Sequence, residues 1–451
     1  MPGHPHSALP VQAEMARGKV SIFTFVKNAG RNLLSVIPEE TKSKRYVRGP
    51  ARLHYVCDPA IITAILVEHA TVFPKSQVTK NILGSAIGNG MILSEGPVWK
   101  AQRRRYAPLF AARNLPVLAR HFADTGLDLA NRLAVAEGEV DIVQLAQEAT
   151  LGDISRVMFS GSKEVDTDAV RVGLKRYTEH VADMSLFDLM GLPSWVPRLK
   201  WLKSRKPVTD MRNLARRVII NRQASQRDEP EDFLDLMVAA LMTDGEDIET
   251  TADNLLTFVV AGHETAANTL AWALYLLALH PDFQSTLRRE INAVCPEGPV
   301  TFEAAQQMTH LDAHVSETLR LYPAAAFFAR DAATDITLGG IAFRKGDAIY
   351  FPIYALHRHH TLWDAPDAYQ ADRFLKTQPQ RGQFLPFGDG PRVCIGAQYA
   401  RTEVVVLLAS LLRTVEFALG SGVIPRPVVT ITMHPDGPLF LRVAKVKGAQ
   451  A

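Results

Sequence analysis

The chemistry-bearing stretch of this chain is Phe387-Gly-Asp-Gly-Pro-Arg-Val-Cys-Ile-Gly396. Gly388 and Gly390 allow a tight turn and close approach to a flat ligand, and Pro391 stiffens that turn. An apolar-periodic stretch over 398–415 predicts a helix immediately downstream. Cys394 therefore stands just before a helix N-terminus, where unpaired amides and the helix dipole favour a thiolate, the form that binds soft or borderline metals. A single thiolate cannot make a structural zinc site, which needs four ligands, and the loop holds no second Cys or His. Any metal here needs a macrocycle to supply the remaining ligands; the alternative is a buried structural Cys in a glycine turn.

Other segments carry residues that could act with Cys394. In Trp99-Lys-Ala-Gln-Arg103 the Trp and Arg are four apart and share one helix face; a packed Trp beside a solvated basic run is the plainer reading. A long helix beginning near Thr250 or Thr251 carries Ala261-Gly-His-Glu-Thr265. A mid-helix Gly262 costs about 1 kcal/mol relative to Ala, so packing or function must account for it. Thr265 can back-bond to the carbonyl of Ala261, its ordinary structural explanation. Glu317 and Arg320, three apart, precede Pro323, and Arg373 follows in Asp-Arg-Phe. As an exposed pair the first two would contribute little.

The spacing Phe-Gly-x-Gly-x-Arg-x-Cys-x-Gly resembles the haem-ligating signature of the cytochrome P450 family. The remaining motifs stand in that family's order between about Tyr46 and Val443. The resemblance implies a mainly α fold with a small β subdomain, and haem b (iron protoporphyrin IX) ligated by Cys394 within the loop that Phe387 opens. It implies that Trp99, Arg103, Arg330 and Arg392 contact the haem propionates, and that Glu264 and Thr265 assist proton delivery. Glu317, Arg320 and Arg373 become a buried brace, and Met184 to Trp195 a lid over the substrate cavity, although those apolar residues equally suit a core. His357-Arg-His-His360 and Ala266 depart from the usual family pattern.

Expected activity is insertion of one atom of O2 into a small, mainly apolar organic substrate. Electrons would come from a separate ferredoxin or flavodoxin-type donor with its reductase, and Arg104 and Arg105 are the expected docking residues. A peroxide-driven peroxygenase and a non-enzymatic haem-thiolate sensor are the alternatives; the Glu264-Thr265 pair argues against both.

Composition sets the frame. With 451 residues, 47% hydrophobic and 22% charged, the chain has material for a large core and reads as one domain over 46–451 after an N-terminal extension and first helix over 1–45. A net charge of +3 gives no reason to expect nucleic acid. Three scattered cysteines and no signal-peptide core point to the cytoplasm. The most membrane-like window, Leu255 to Leu279, contains His263, Glu264 and Asn268 and reads as a buried helix, so no membrane span is expected. The segment from Val78 to Leu93, rich in glycine, is expected as a loop. Ala51 to Cys57, Ala324 to Ala329 and 336–352 read as strands. A final hairpin is expected over 428–443 around Pro435-Asp-Gly437.

Overall fold

The computed structural model describes residues 9–18, 20–21, 32–136, 138–159, 172–173, 199–225, 232–244 and 246–446. The expected lid over Met184 to Trp195 lies outside these residues.

Among the described residues the α-helices of six or more residues are α1 (Gln77–Ile87), α2 (Gly96–Tyr106), α3 (Leu115–Ala134), α4 (Ile142–Phe159), α5 (Leu199–Ala224), α6 (Phe233–Asp244), α7 (Ile248–Leu279), α8 (Pro281–Val294), α9 (Phe302–Gln307), α10 (Thr309–Leu321) and α11 (Ala397–Thr414). The axis of the molecule is α7. Asp247 caps it by accepting from the amide of Thr250 at 2.9 Å, and it packs against α4, α5, α10 and α11. Its first half (Leu255 to Val259) and second half (Ala266 to Leu277) are buried, whereas Ala261 between them is exposed. Accessible backbone in the middle of an otherwise buried helix means that the helix lines an internal opening there. No helix among the described residues is long and apolar enough to cross a membrane.

A four-stranded sheet joins β1 (Tyr46–Arg48), β2 (Leu53–Val56), β7 (Ala348–Phe351) and β4 (Phe328–Asp331) in that order, with β2 and β7 parallel. Separate small sheets pair β5 (Ile336–Leu338) with β6 (Ile341–Phe343), and β9 (Pro427–Val429) with β10 (Met433–Pro435). The remaining sheet runs β3 (Glu139–Asp141), β11 (Phe440–Lys445), β8 (Val415–Leu419). The result is mainly α with a small β part, as expected.

Three local expectations are corrected. The glycine-rich stretch after Val78 is largely α1, not a loop: Ser76 caps it by accepting from Val78, and Gly88, at a φ of 56°, ends it. The strand expected over Ala324 to Ala329 begins only at Phe328. The last hairpin turns at Thr430 to Thr432, so Pro435 belongs to a strand and not to the turn. Helix–helix approach explains Gly262: a Cβ there would come within 2.9 Å of Ile154 Cδ1 on α4.

Glu317 organises the region between α10 and the Cys394 loop. Its carboxylate accepts from Arg320 Nε and Nη2 at 2.7 and 2.8 Å, from Arg373 Nε at 3.2 Å, and from the amide of Gln370 at 2.9 Å. Arg320 also donates to the carbonyls of His357, Pro366 and Ala368, and Arg373 to that of Asp364. Charges without access to water are tolerated because nearly every donor has a partner. His357, which opens the stretch that departs from the family pattern at His360, accepts from the amide of Leu385 at 2.9 Å and so links this brace to the approach of the Cys394 loop.

Asp153 on α4 and Glu403 on α11 form a second buried acid pair. None of their four carboxylate oxygens has a hydrogen-bond partner among the described residues, and neither has the nearby Tyr399 hydroxyl. Burial, and then for Glu403 the charge of Asp153, pushes both carboxyls well above the ordinary carboxylate range. Thr125 and Arg156 act the other way on Asp153, and Asp124 with burial. Arg156 is engaged elsewhere, donating to Thr125 at 2.7 Å and to Asp128 at 3.0 Å.

Two outcomes are expected. Glu317→Ala leaves two buried guanidinium groups uncompensated and should lower unfolding free energy by about 3–5 kcal/mol in denaturant titration; a loss below about 1 kcal/mol, the range of an exposed pair, would contradict the brace. For Asp153 the folded pKa is raised, so its contribution to stability is intact below the unfolded value of about 4 and is lost as pH rises through the folded value. Asp153→Asn should therefore melt at a higher temperature than the parent in mildly alkaline buffer, with the gain disappearing towards pH 4; a pH-independent difference would show that ionisation is not the cause.

Candidate haem-thiolate site

The Cys394 loop is held at several points by its own backbone. Gly388 and Gly390 take φ values of 74° and 69°. A Cβ on Gly390 would fall 2.1 Å from the carbonyl oxygen of Leu66, so only glycine lets the loop lie against that segment. Asp389 accepts from the amide of Gly390 and pairs with Arg381 at 2.9 Å, which holds its carboxyl below the usual range. The amide of Cys394 donates to the carbonyl of Phe387 at 2.9 Å and closes the loop, after which Gly396 caps α11.

Cys394 is accessible to solvent although protein atoms surround it on most sides. Both observations hold if the thiol faces an internal opening rather than the outer surface. Burial pushes this thiol up, against the opposing influence of the Gly396 amide, Arg103 and Lys75. The helix start therefore favours the thiolate as the sequence suggests, but in the protein alone it does not outweigh desolvation.

Around the thiol stand four cations. Arg103 donates to the carbonyl of Val393 at 3.0 Å, bracing the residue next to Cys394. Arg392 lies 4.0 Å over the ring of Trp99 and donates to the carbonyl of Ser94 at 2.8 Å. Its Nη1 is buried with no partner among the described residues. Arg330 spends one donor on its neighbour's carbonyl, Ala329, at 2.9 Å. Lys75 pairs with Arg330 across an isolated bridge. Burial, reinforced by Arg330 and Arg392, lowers Lys75 to about 7; burial lowers Arg330 and Arg392 to about 10. Glu95 offsets part of this charge, but its oxygens already accept from the Lys75 amide at 2.8 Å and Lys80 Nζ at 2.6 Å.

So many buried positive groups with one shared acid, and an orphaned guanidinium nitrogen, make a cradle suited to a dianionic group. A haem, with two propionates and an iron that takes a thiolate, fits both the cations and Cys394. Tertiary structure brings together Trp99, Arg103, Arg330, Phe387, Arg392 and Cys394. Trp99 supports Arg392, and Arg103 braces the Cys loop. Lys75 was missed: a lone Lys after Pro74 has no spacing pattern, and only its pairing with Arg330 reveals it.

Glu264 and Thr265 lie on the accessible stretch of α7. Thr265 Oγ donates to the carbonyl of Ala261 at 2.7 Å, leaving its lone pairs as acceptors. Glu264 accepts from the hydroxyl of Thr432. Their neighbour His263 turns towards α4, its Nδ1 2.9 Å from Thr150, and burial lowers it to about 4, so it is a neutral packing residue. Arg105 is removed from the docking surface expected of it: it pairs with Glu246, nearly out of contact with solvent, while Arg104 is exposed.

The model of the cytochrome P450 family matches residues 41–441, nearly the whole chain. The chain belongs to the cytochrome P450 family. Among curated relatives it is 30% identical over 389 residues to a cytokinin hydroxylase of Arabidopsis thaliana, covering 83% of this chain and 75% of that one. It is 28% identical over 445 residues to the cytochrome P450 monooxygenase sphH of Aspergillus fumigatus, covering 90% and 79%. The solved heme domain of cytochrome P450DA superposes with a TM-score of 0.78 over 89% of this chain and 90% of that one, at 23% identity, which shows the shared fold. The protein is a cytochrome P450 monooxygenase, and its family implies a haem cofactor, dioxygen, an organic substrate and a source of electrons.

Lys75→Met should weaken haem retention by removing one cation from the cradle. Transfer of haem to excess apomyoglobin, followed by absorbance, should run faster than in the parent, by about fivefold if one charge-assisted contact of about 1 kcal/mol is lost. An unchanged transfer rate would take Lys75 out of the cradle.

Proposed function

We propose that this cytochrome P450 binds haem b through the Cys394 thiolate and oxidises a mainly apolar small organic substrate with electrons from a separate ferredoxin or flavodoxin-type donor. The observation that carries the reading is the accessible Cys394 thiol beside Lys75 and Arg103, with Arg330 and Arg392 clustered next to Lys75. When bound, haem supplies the oxygen chemistry, which thiolate ligation directs towards O–O cleavage.

The chain's own residues bind, orient and move protons. Arg330, Arg392 and Lys75 hold the propionates, with Trp99 stacked beneath Arg392. Arg103 keeps the Val393 carbonyl, and hence the Cys loop, in place. Phe387 closes that loop through its carbonyl. Thr265, with its hydroxyl proton on Ala261, presents an acceptor to the opening, and Glu264 supplies the exchangeable proton. This acid and alcohol pair favours a monooxygenase over a peroxygenase, because peroxide brings its own protons.

Arg104, with the exposed Lys100 one turn earlier on α2, is the proposed point of approach for an acidic donor. The buried free thiols Cys57 and Cys295 agree with a reducing compartment such as the cytoplasm.

The test compares the parent with Cys394→Ser and Arg104→Glu. The reduced carbon monoxide complex of the parent should show the red-shifted Soret band of a thiolate ligand, and Cys394→Ser should lose it. Reduction by a ferredoxin and its reductase should slow with salt in the parent, since charges are screened beyond about 10 Å at 0.1 M. It should be slower in Arg104→Glu at low salt. A retained band in Cys394→Ser would remove the ligand assignment, and equal reduction rates would place the donor elsewhere.

A further inference from the structure

Thr432 stands in the turn between β9 and β10, remote in sequence from α7, and is buried. Its hydroxyl joins two side chains one helical turn apart on α7. Asn268 Nδ2 donates to Thr432 Oγ at 3.2 Å, and Thr432 Oγ reaches Glu264 Oε1. Donor counting fixes the direction. An amide NH2 only donates, so Thr432 accepts from Asn268 and its single proton points to Glu264, whose carboxyl accepts through Oε1. The turn is fixed from the far side: the amide of Met433 donates to the carbonyl of Ala324 at 2.9 Å, just beyond the end of α10. The hydroxyl is thus carried by a turn tied to the chain after α10 as well as to α7.

We propose that Thr432 is a positioning residue for the monooxygenase reaction: by donating to one carboxyl oxygen it fixes the rotamer of Glu264 and leaves the other oxygen to relay protons. Asn268 completes the device by orienting the Thr432 hydroxyl. Without the hydroxyl, Glu264 turns freely in the opening and delivers protons less often. The inference rests on Glu264 acting in proton delivery.

The experiment uses haem-loaded enzyme with excess reductant and dioxygen as the only electron acceptor; four electrons consumed per dioxygen mark reduction to water and two mark reduction to peroxide. Variants are Thr432→Val, Thr432→Ser, Glu264→Gln and Thr432→Val with Glu264→Gln; Thr432→Ala replaces the Val variant if that one loads haem poorly. Thr432→Val should slow reduction to water about fivefold, the factor for one lost hydrogen bond of about 1 kcal/mol. Thr432→Ser should restore it to within about twofold, and adding Thr432→Val to Glu264→Gln should cost nothing further. In infrared spectra the Glu264 carboxyl band, assigned by its loss in Glu264→Gln, should shift in Thr432→Val.

Thr432→Val matching the parent while Glu264→Gln is slow would overturn the positioning role alone. So would full additivity of the two changes, or a Glu264 band that does not move in Thr432→Val. If Glu264→Gln itself matches the parent, the proton-delivery reading falls and the positioning role with it.

Discussion

The Glu317 carboxylate, shared by Arg320 and Arg373 away from water, is the interaction on which the geometry of the site depends. Any one of these charges by itself would be costly to bury, and any two would leave donors unmet. With three, the guanidinium forks have nitrogens left over for the carbonyls of His357, Asp364, Pro366 and Ala368. The segment 357–373 has little regular structure, so its backbone needs these partners, and the end of α10 supplies them. His357 then carries the constraint to Leu385, two residues before the Cys394 loop opens. An irregular loop can hold a ligand in a fixed place because an ion network behind it is rigid.

The cradle around Cys394 has the opposite character. Where the brace satisfies its charges, the ring of Lys75, Arg103, Arg330 and Arg392 leaves positive charge in excess inside the protein. Such an arrangement is unfavourable for the chain alone and becomes favourable when an anionic group arrives, so part of the cofactor's binding energy offsets cation desolvation. Stacking on Trp99 and one bond to the Ser94 carbonyl hold the Arg392 guanidinium in place and leave its Nη1 for the ligand. Burial of the thiol points the same way, since a neutral thiol is favoured until a metal takes its proton.

Much was legible in the sequence where the chemistry needs fixed spacing within one element. The Gly-x-Gly-Pro turn, Cys394 at its end and the helix behind it follow from backbone rules that act over a few residues. The apolar period of α11 is local in the same sense. Local rules also misled. Glycines in 78–93 suggested a loop, but Gly84 lies inside α1 and only Gly88 needs a positive φ. Pro435-Asp-Gly437 suggested a turn, whereas the β9–β10 register puts the reversal at Thr430 to Thr432.

What only the tertiary structure decided is which distant side chains share an environment. Lys75 meets Arg330, and Thr432 meets Glu264, across separations of hundreds of residues in sequence. Arg105 reads the same as Arg104 in a run of three arginines, yet one is spent on Glu246 and the other faces solvent. Asp153 and Glu403 look like surface acids of two helices until α4 and α11 turn them inward. The sequence determined the motifs, their order and the family, because covalent spacing sets the reach of groups within a turn or a helix. Partnership and charge state depend on distance and desolvation, and these are defined only once the helices have packed.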